Sequence, residues 1–186
     1  FEHAPIMVVT HCEDSPTIWK NEAQAREKFG EDVPMSQHPI IRSDLACYKS
    51  SNTAINLAKK HDALLHVLHL TTAKEMQLFS NKHRSEKRIT AEVCVHHLWF
   101  DEDDYALHGT NIKCNPAIKS SKDRMALIEA LRSGKIDVIA TDHAPHTSEE
   151  KSSSYFNAPA GLPLVQHALP ALFDLVAKQE LSAELV

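Results

Sequence analysis

Three residues of this 186-residue chain, His11, His69 and Asp142, each stand at or just past the end of a short apolar run. Two imidazoles and a carboxylate form a donor set for a borderline divalent cation such as zinc, with ligand bonds of about 2.0 to 2.2 Å. Taken singly, each is as readily a hydrogen-bonded loop or core residue, because histidine is intermediate in burial and buried polar groups find partners. Their equivalent places in the pattern make them a set. Histidine is also abundant, at 13 residues against only 4 glycines. His96 and His97 close another apolar run. Adjacent residues on a strand point to opposite faces, so at most one of them can join the set, and neither is counted as a ligand.

The elements that must position these groups are legible as runs. Residues 6–10, 63–70, 89–95 and 136–140 are almost continuously apolar, which predicts buried strands. Residues 43–60 have helical spacing, with Ser43 and Asp44 as a cap and Lys59 and Lys60 in the last turn. A second helix over 121–131 carries Met125, Leu127, Ile128 and Leu131 as its stripe and closes at Gly134. Residues 71–79 have helix composition, 163–178 read as a long apolar helix, and 19–29 give a modest helical signal on what reads as surface. Strands that are apolar throughout and alternate with helices predict an α/β fold, a parallel sheet covered by helices. In such folds chemistry sits at the carboxyl ends of the strands, where His11, His69 and Asp142 fall. Strand parity puts Leu65, Val67 and His69 on one face and gives His66 a packing role against the helices. The segment 99–105 reads as a solvated connection and Asn115-Pro116 as a turn.

Composition narrows the partners. The net charge of −5, with no long basic stretch, leaves no electrostatic footprint for nucleic acid. No window approaches 18 uninterrupted apolar residues and no signal pattern opens the chain, so a cytoplasmic protein with no membrane partner is expected. Cysteines at 12, 47, 94 and 114 form no C-x-x-C pair and are expected to be reduced thiols. The chain opens on Phe1 and stops inside a helical pattern, so it is expected to be a piece of a longer protein, with residues 1–186 forming one partial domain.

Five ordered segments carry a resemblance: Thr10-His11-Cys12-Glu13-Asp14, His66-Val67-Leu68-His69-Leu70-Thr71-Thr72, Ala91-Glu92-Val93-Cys94-Val95-His96-His97-Leu98, Lys113-Cys114-Asn115-Pro116 and Ala140-Thr141-Asp142-His143-Ala144-Pro145-His146. Together they resemble the motifs of dihydroorotases of the larger, bacterial type in the amidohydrolase superfamily, a group that grades into allantoinases and hydantoinases. The resemblance implies the C-terminal half of a distorted (β/α)8 TIM-like barrel, strands five to eight, with four parallel strands and their covering helices. It implies Zn2+, binuclear in the complete enzyme, with His11, His69 and Asp142 as ligands. The family's His-x-His pair and its bridging carboxylate or carboxylated lysine have no counterpart in this chain.

The implied activity is reversible interconversion of dihydroorotate and N-carbamoyl-L-aspartate in pyrimidine biosynthesis. A small molecule is the partner, and a homo-oligomer is left open. Asp142 is the implied catalytic residue, passing a proton from the attacking water to the departing ring nitrogen. Asn115 and His146 match the family's substrate-binding residues, and Ala160 and Gly161 its backbone contact to the ring. Where the family often has arginine, this chain has Lys119, which cannot make a two-pronged carboxylate clamp. An allantoinase or hydantoinase sharing the ligands, and a catalytically silent scaffold subunit, are the competing expectations.

Overall fold

The computed structural model describes residues 1–186. In chain order its elements are β1 (Val8–Thr10), α1 (Ser15–Phe29), α2 (His38–Ile41), α3 (Asp44–Lys60), β2 (Leu65–Val67), β3 (Ile89–Cys94), α4 (Val95–Trp99), α5 (Tyr105–His108), α6 (Ser121–Arg132), β4 (Val138–Ala140), α7 (Ser148–Lys151) and α8 (Ala168–Ala177), with short 3-10 turns between them. The four strands form one parallel sheet in the order β1-β2-β3-β4, so each connection is a crossover. Val8, Leu65 and Ile89 lie in register across the first three strands, and Glu92 pairs with Val138 across the last two. The sheet is open, and β1 and β4 each have a single strand neighbour. This is the layering the apolar runs predict, as part of a barrel wall and not a closed one.

One face of the sheet makes the core. Leu65, Val67, Ala91, Val93 and Val95 pack against Ala54, Ile55 and Ala58 of α3, Leu127, Ile128 and Leu131 of α6, and Leu172 and Leu175 of α8. The opposite face is mixed, with Val9 and Val138 in register beside polar residues. His66 lies there with Thr90 and Glu92, its ring 2.8 Å from Thr90 Oγ1 and 3.3 Å from Glu92 Oε2. The expected packing role of His66 against the helices is therefore wrong. Leu65 and Val67 take the helix side, and a barrel would enclose His66. The parity argument fails for His69 as well, because β2 ends at Val67 and His69 sits beyond it with φ +35°.

Other departures have local causes. The 71–79 segment forms only a 3-10 turn, Glu75–Gln77, because the buried Glu75 carboxylate takes hydrogen bonds from Ser51, Thr72 and the Thr71 amide and holds the chain as a loop. The modest signal at 19–29 understates α1, which begins at Ser15 with Asp14 accepting from the Thr17 amide at 3.1 Å. Trp19 is exposed on it, as a surface helix requires. The 99–105 connection is not wholly solvated, since Tyr105 is buried and its hydroxyl accepts from the Ile118 amide at 3.0 Å. The last helix starts at Ala168, five residues later than expected.

Candidate metal centre and substrate loops

His11 and His69, 58 residues apart in sequence, meet at the carboxyl ends of β1 and β2, with His11 Nδ1 3.1 Å from His69 Nε2. Two nitrogens bound to one zinc at about 2.0 to 2.1 Å lie about 2.9 to 3.4 Å apart for bond angles between a right angle and a tetrahedron. The pair is therefore at ligand spacing. The other ring nitrogen of His11 donates to Glu13 Oε2 at 3.1 Å, which places its lone pair on Nδ1, facing His69. His69 Nδ1 is buried and has no partner.

Glu13 is the acid that fixes this tautomer. Burial alone would raise its pKa, but the hydrogen bond from His11 and the charges of Arg42 and Lys119 outweigh it, and the carboxyl lies below its ordinary value. Arg42 also donates to the same oxygen. The His69 ring is held less basic than usual, first by burial and then by His11, while Asp142 acts in the opposite sense. Asp142 follows the end of β4, but its carboxylate does not stand at ligand spacing from the two rings: Cys94, His96 and His97 are the three donors that do gather within 4.8 Å.

Backbone strain marks the same spots. His69 (φ +35°) and Asp142 (φ +45°) are two of four non-glycine residues with positive φ. Histidine and aspartate tolerate this region better than most side chains, and such conformations collect where a side chain must be aimed. The loop after His69 is pinned by Glu75, whose pKa is raised by its burial although Ser51 and Thr72 donate to it.

Three further loops are stitched together beside this centre. Lys151 Nζ, buried, donates to the carbonyls of Lys113 (3.2 Å), Pro159 (3.0 Å) and Gly161 (2.9 Å). Lys113 Nζ donates to Tyr155 and Ala158 in turn, and burial followed by the Lys151 charge lowers its pKa to about 8. Gly161 (φ +145°) lies so close to the Asp142 loop that a Cβ there would stand 2.5 Å from the Ala144 carbonyl and 3.2 Å from the His146 ring. Its missing side chain serves contact between loops.

Asn115 and Ala160 line one cavity of about 310 Å³ together with Arg26, Arg42 and Lys113. The Asn115 side-chain oxygen is buried without a partner. Arg42 thus touches both this cationic cavity and Glu13, which leads on to His11 and His69.

A second cluster lies at the end of β3. Cys94, His96 and His97 are buried, and one donor atom from each lies within 4.8 Å of the others. The expectation that only one of the two histidines could face such a site assumed a strand. The chain turns into α4 at Val95, and the rings sit side by side with centroids 4.0 Å apart. Sequence reasoning also passed over Glu13 and Arg42. Glu13 was visible, two residues after a candidate ligand, but Arg42 pairs with it only through the fold.

No family model matches the chain. It is 36% identical to the dihydroorotase of Carboxydothermus hydrogenoformans over 181 residues, which is 96% of this chain and 41% of that protein. With a Bacillus cereus dihydroorotase the identity is 37% over 173 residues, 92% of this chain and 39% of the relative. Among solved structures, an L-hydantoinase (dihydropyrimidinase) from Arthrobacter aurescens superposes with TM-score 0.87 at 25% identity, covering 96% of this chain and 40% of that one. A Saccharomyces cerevisiae dihydroorotase superposes with TM-score 0.67 at 23% identity, covering 75% and 40%. This chain spans about two fifths of the length of the curated relatives it matches. In sequence the chain is similar to dihydroorotases over nearly its whole length, and in fold to hydantoinases and a dihydroorotase.

Proposed function

We propose that the protein carrying this chain is a zinc-dependent cyclic amide hydrolase that interconverts dihydroorotate and N-carbamoyl-L-aspartate, with residues 1–186 as part of its barrel domain. The observation that carries the reading is the 3.1 Å approach of His11 and His69, one oriented by Glu13 and the other with a buried, unpartnered nitrogen. The pair fits a divalent cation, and Asp142, after β4 at the same end of the sheet, is proposed to close in as the third ligand. The missing upstream ligands of a binuclear site belong to sequence outside this chain. The cation, when bound, supplies Lewis acidity for the scissile carbonyl.

The chain's own residues do the rest. Asp142 is exposed at the rim, where a ring substrate can reach it, and it moves a proton from water to the leaving ring nitrogen. Asn115, at the cavity lined by Arg26, Arg42 and Lys113, and His146 take the substrate carboxylate and amide, beside the backbone of Ala160 and Gly161. The likeness to hydantoinases supports a second reading, the same chemistry on a hydantoin or allantoin ring. The whole protein assayed on dihydroorotate, hydantoin and allantoin separates them. Turnover of dihydroorotate is expected, and turnover of another ring alone would overturn the assignment. No helix is long and apolar enough to cross a membrane, which suits a small-molecule enzyme of the cytoplasm.

A further inference from the structure

We propose that Cys94, His96 and His97 form a second, closed binding site for a cation of the zinc class, separate from the His11–His69 centre. The three side chains are 0%, 2% and 3% exposed, and one donor atom of each lies within 4.8 Å of the other two. A thiolate and two imidazoles are what zinc and its softer relatives prefer over magnesium or calcium, which want oxygen.

The hydrogen-bond inventory points the same way. His97 Nε2 donates to the Pro116 carbonyl at 3.1 Å, which fixes the tautomer and leaves Nδ1 as a lone pair, and that atom is buried with no partner. Neither ring nitrogen of His96 has a partner, and both are buried. Buried imidazoles nearly always satisfy at least one nitrogen, so three orphaned ring atoms on adjacent residues call for a ligand. A protein acceptor could satisfy only a protonated nitrogen, whereas a cation accepts several lone pairs at once.

The geometry asks little more of the chain. Donors bound tetrahedrally at about 2.0 to 2.3 Å stand about 3.3 to 3.7 Å apart, so the present spacing closes by about 1 Å through side-chain torsions. Cys114 Sγ stands 3.8 Å from His97 Nε2, on the side of the ring turned to the Pro116 carbonyl, and is not counted among the ligands. On binding, the Cys94 thiol releases its proton to solvent and the sulfur becomes the anionic ligand. A site with no exposed ligand has no place for substrate, so its role is to lock the β3–α4 junction against the Pro116 loop.

Cobalt(II), titrated alone into the metal-free whole protein, tests this. A sulfur-to-cobalt charge-transfer band in the near ultraviolet is expected, with visible bands of a tetrahedral ion, and zinc should bleach both. Cys94→Ser should abolish the charge-transfer band, while His69→Ala should keep it. The His11–His69 centre contains no sulfur, so its failure or success leaves this readout untouched. His96→Asn retains the thiol and should weaken cobalt binding at least tenfold, which keeps the test available if Cys94→Ser folds poorly. Absence of the band at saturating cobalt, or its full persistence in Cys94→Ser or His96→Asn, overturns the proposal.

Discussion

Two pairs of histidines stand at the same rim of the sheet and are built in opposite ways. His11 and His69 come from different strands, meet edge to face with centroids 4.8 Å apart, and are wired outward through Glu13 and Arg42. The His11 side chain is 45% exposed. His96 and His97 are neighbours in sequence on one short helix, fully enclosed, with three of their four ring nitrogens unpartnered. An open pair with a charged orienting acid suits chemistry on a diffusing substrate. A closed pair beside a thiol suits structure. The contrast shows that adjacency in sequence says little about what two histidines share, and that the backbone's departure from the strand decides it.

The sharpest way to break this contrast is His69→Ala in the whole protein. Turnover should fall by about a thousandfold or more, with loss of bound cation and little change in thermal midpoint. Metal analysis and calorimetry on one preparation read all three. Retained turnover would remove the open pair from the site. The closed pair should answer in stability instead. His97→Phe removes the stronger of the two donors to the Pro116 carbonyl, leaving the weakly donating Cys114 thiol at 3.2 Å, and forces a larger ring into an enclosed space, so about 1 to 3 kcal/mol should be lost in chemical denaturation. A change under about 0.5 kcal/mol would make the enclosure incidental.

Glu13→Gln sharpens the comparison from the other side. It keeps the shape and removes the charge that orients His11, so cation affinity at the open pair should drop about 10- to 100-fold while the fold persists. Competition with a chelator measures it, and unchanged affinity would reduce Glu13 to a partner of Arg42.

What the chain revealed before folding, and what it hid, follow one physical division. The strands and the helices at 43–60 and 121–131 were legible because burial of one face imposes a repeating pattern. The α3 cap, Ser43 accepting from the Ala46 amide at 3.3 Å, could be read directly from residue type. The strand-end positions of His11, His69 and Asp142 were legible too, since they depend only on where an apolar run stops. Their aim was not. His69 and Asp142 take positive φ, which no periodicity encodes, so an argument from parity reached a correct neighbourhood for the wrong reason and misplaced His66. Glu75 stayed invisible for a related cause. Its segment has helical composition, yet one buried carboxylate gathering three donors overrides it. The Lys113 and Lys151 staples join carbonyls 8 to 45 residues away, and such bonds leave no trace in local sequence.

His38 supplies the control for both pairs. It is as enclosed as His96, but both its nitrogens are engaged: Nε2 donates to the Cys114 carbonyl at 2.7 Å and Nδ1 accepts from the Tyr155 hydroxyl at 2.9 Å. Burial lowers its pKa to about 3. In the unfolded chain it titrates near its ordinary value, so between about pH 6.5 and pH 3 the unfolded state holds one more proton than the folded one. The stability contributed by neutral His38 is complete above that window and is lost as pH falls through it. The slope is about 1.4 kcal/mol per pH unit, an order-of-magnitude figure for one proton. Denaturation series from pH 7 to pH 4 on the wild type and on His38→Gln, both with the cation bound, isolate the term: glutamine should flatten the curve by one proton. If the two curves run parallel, the acid sensitivity belongs to other groups, and a buried histidine with both partners in place is then no different from one without.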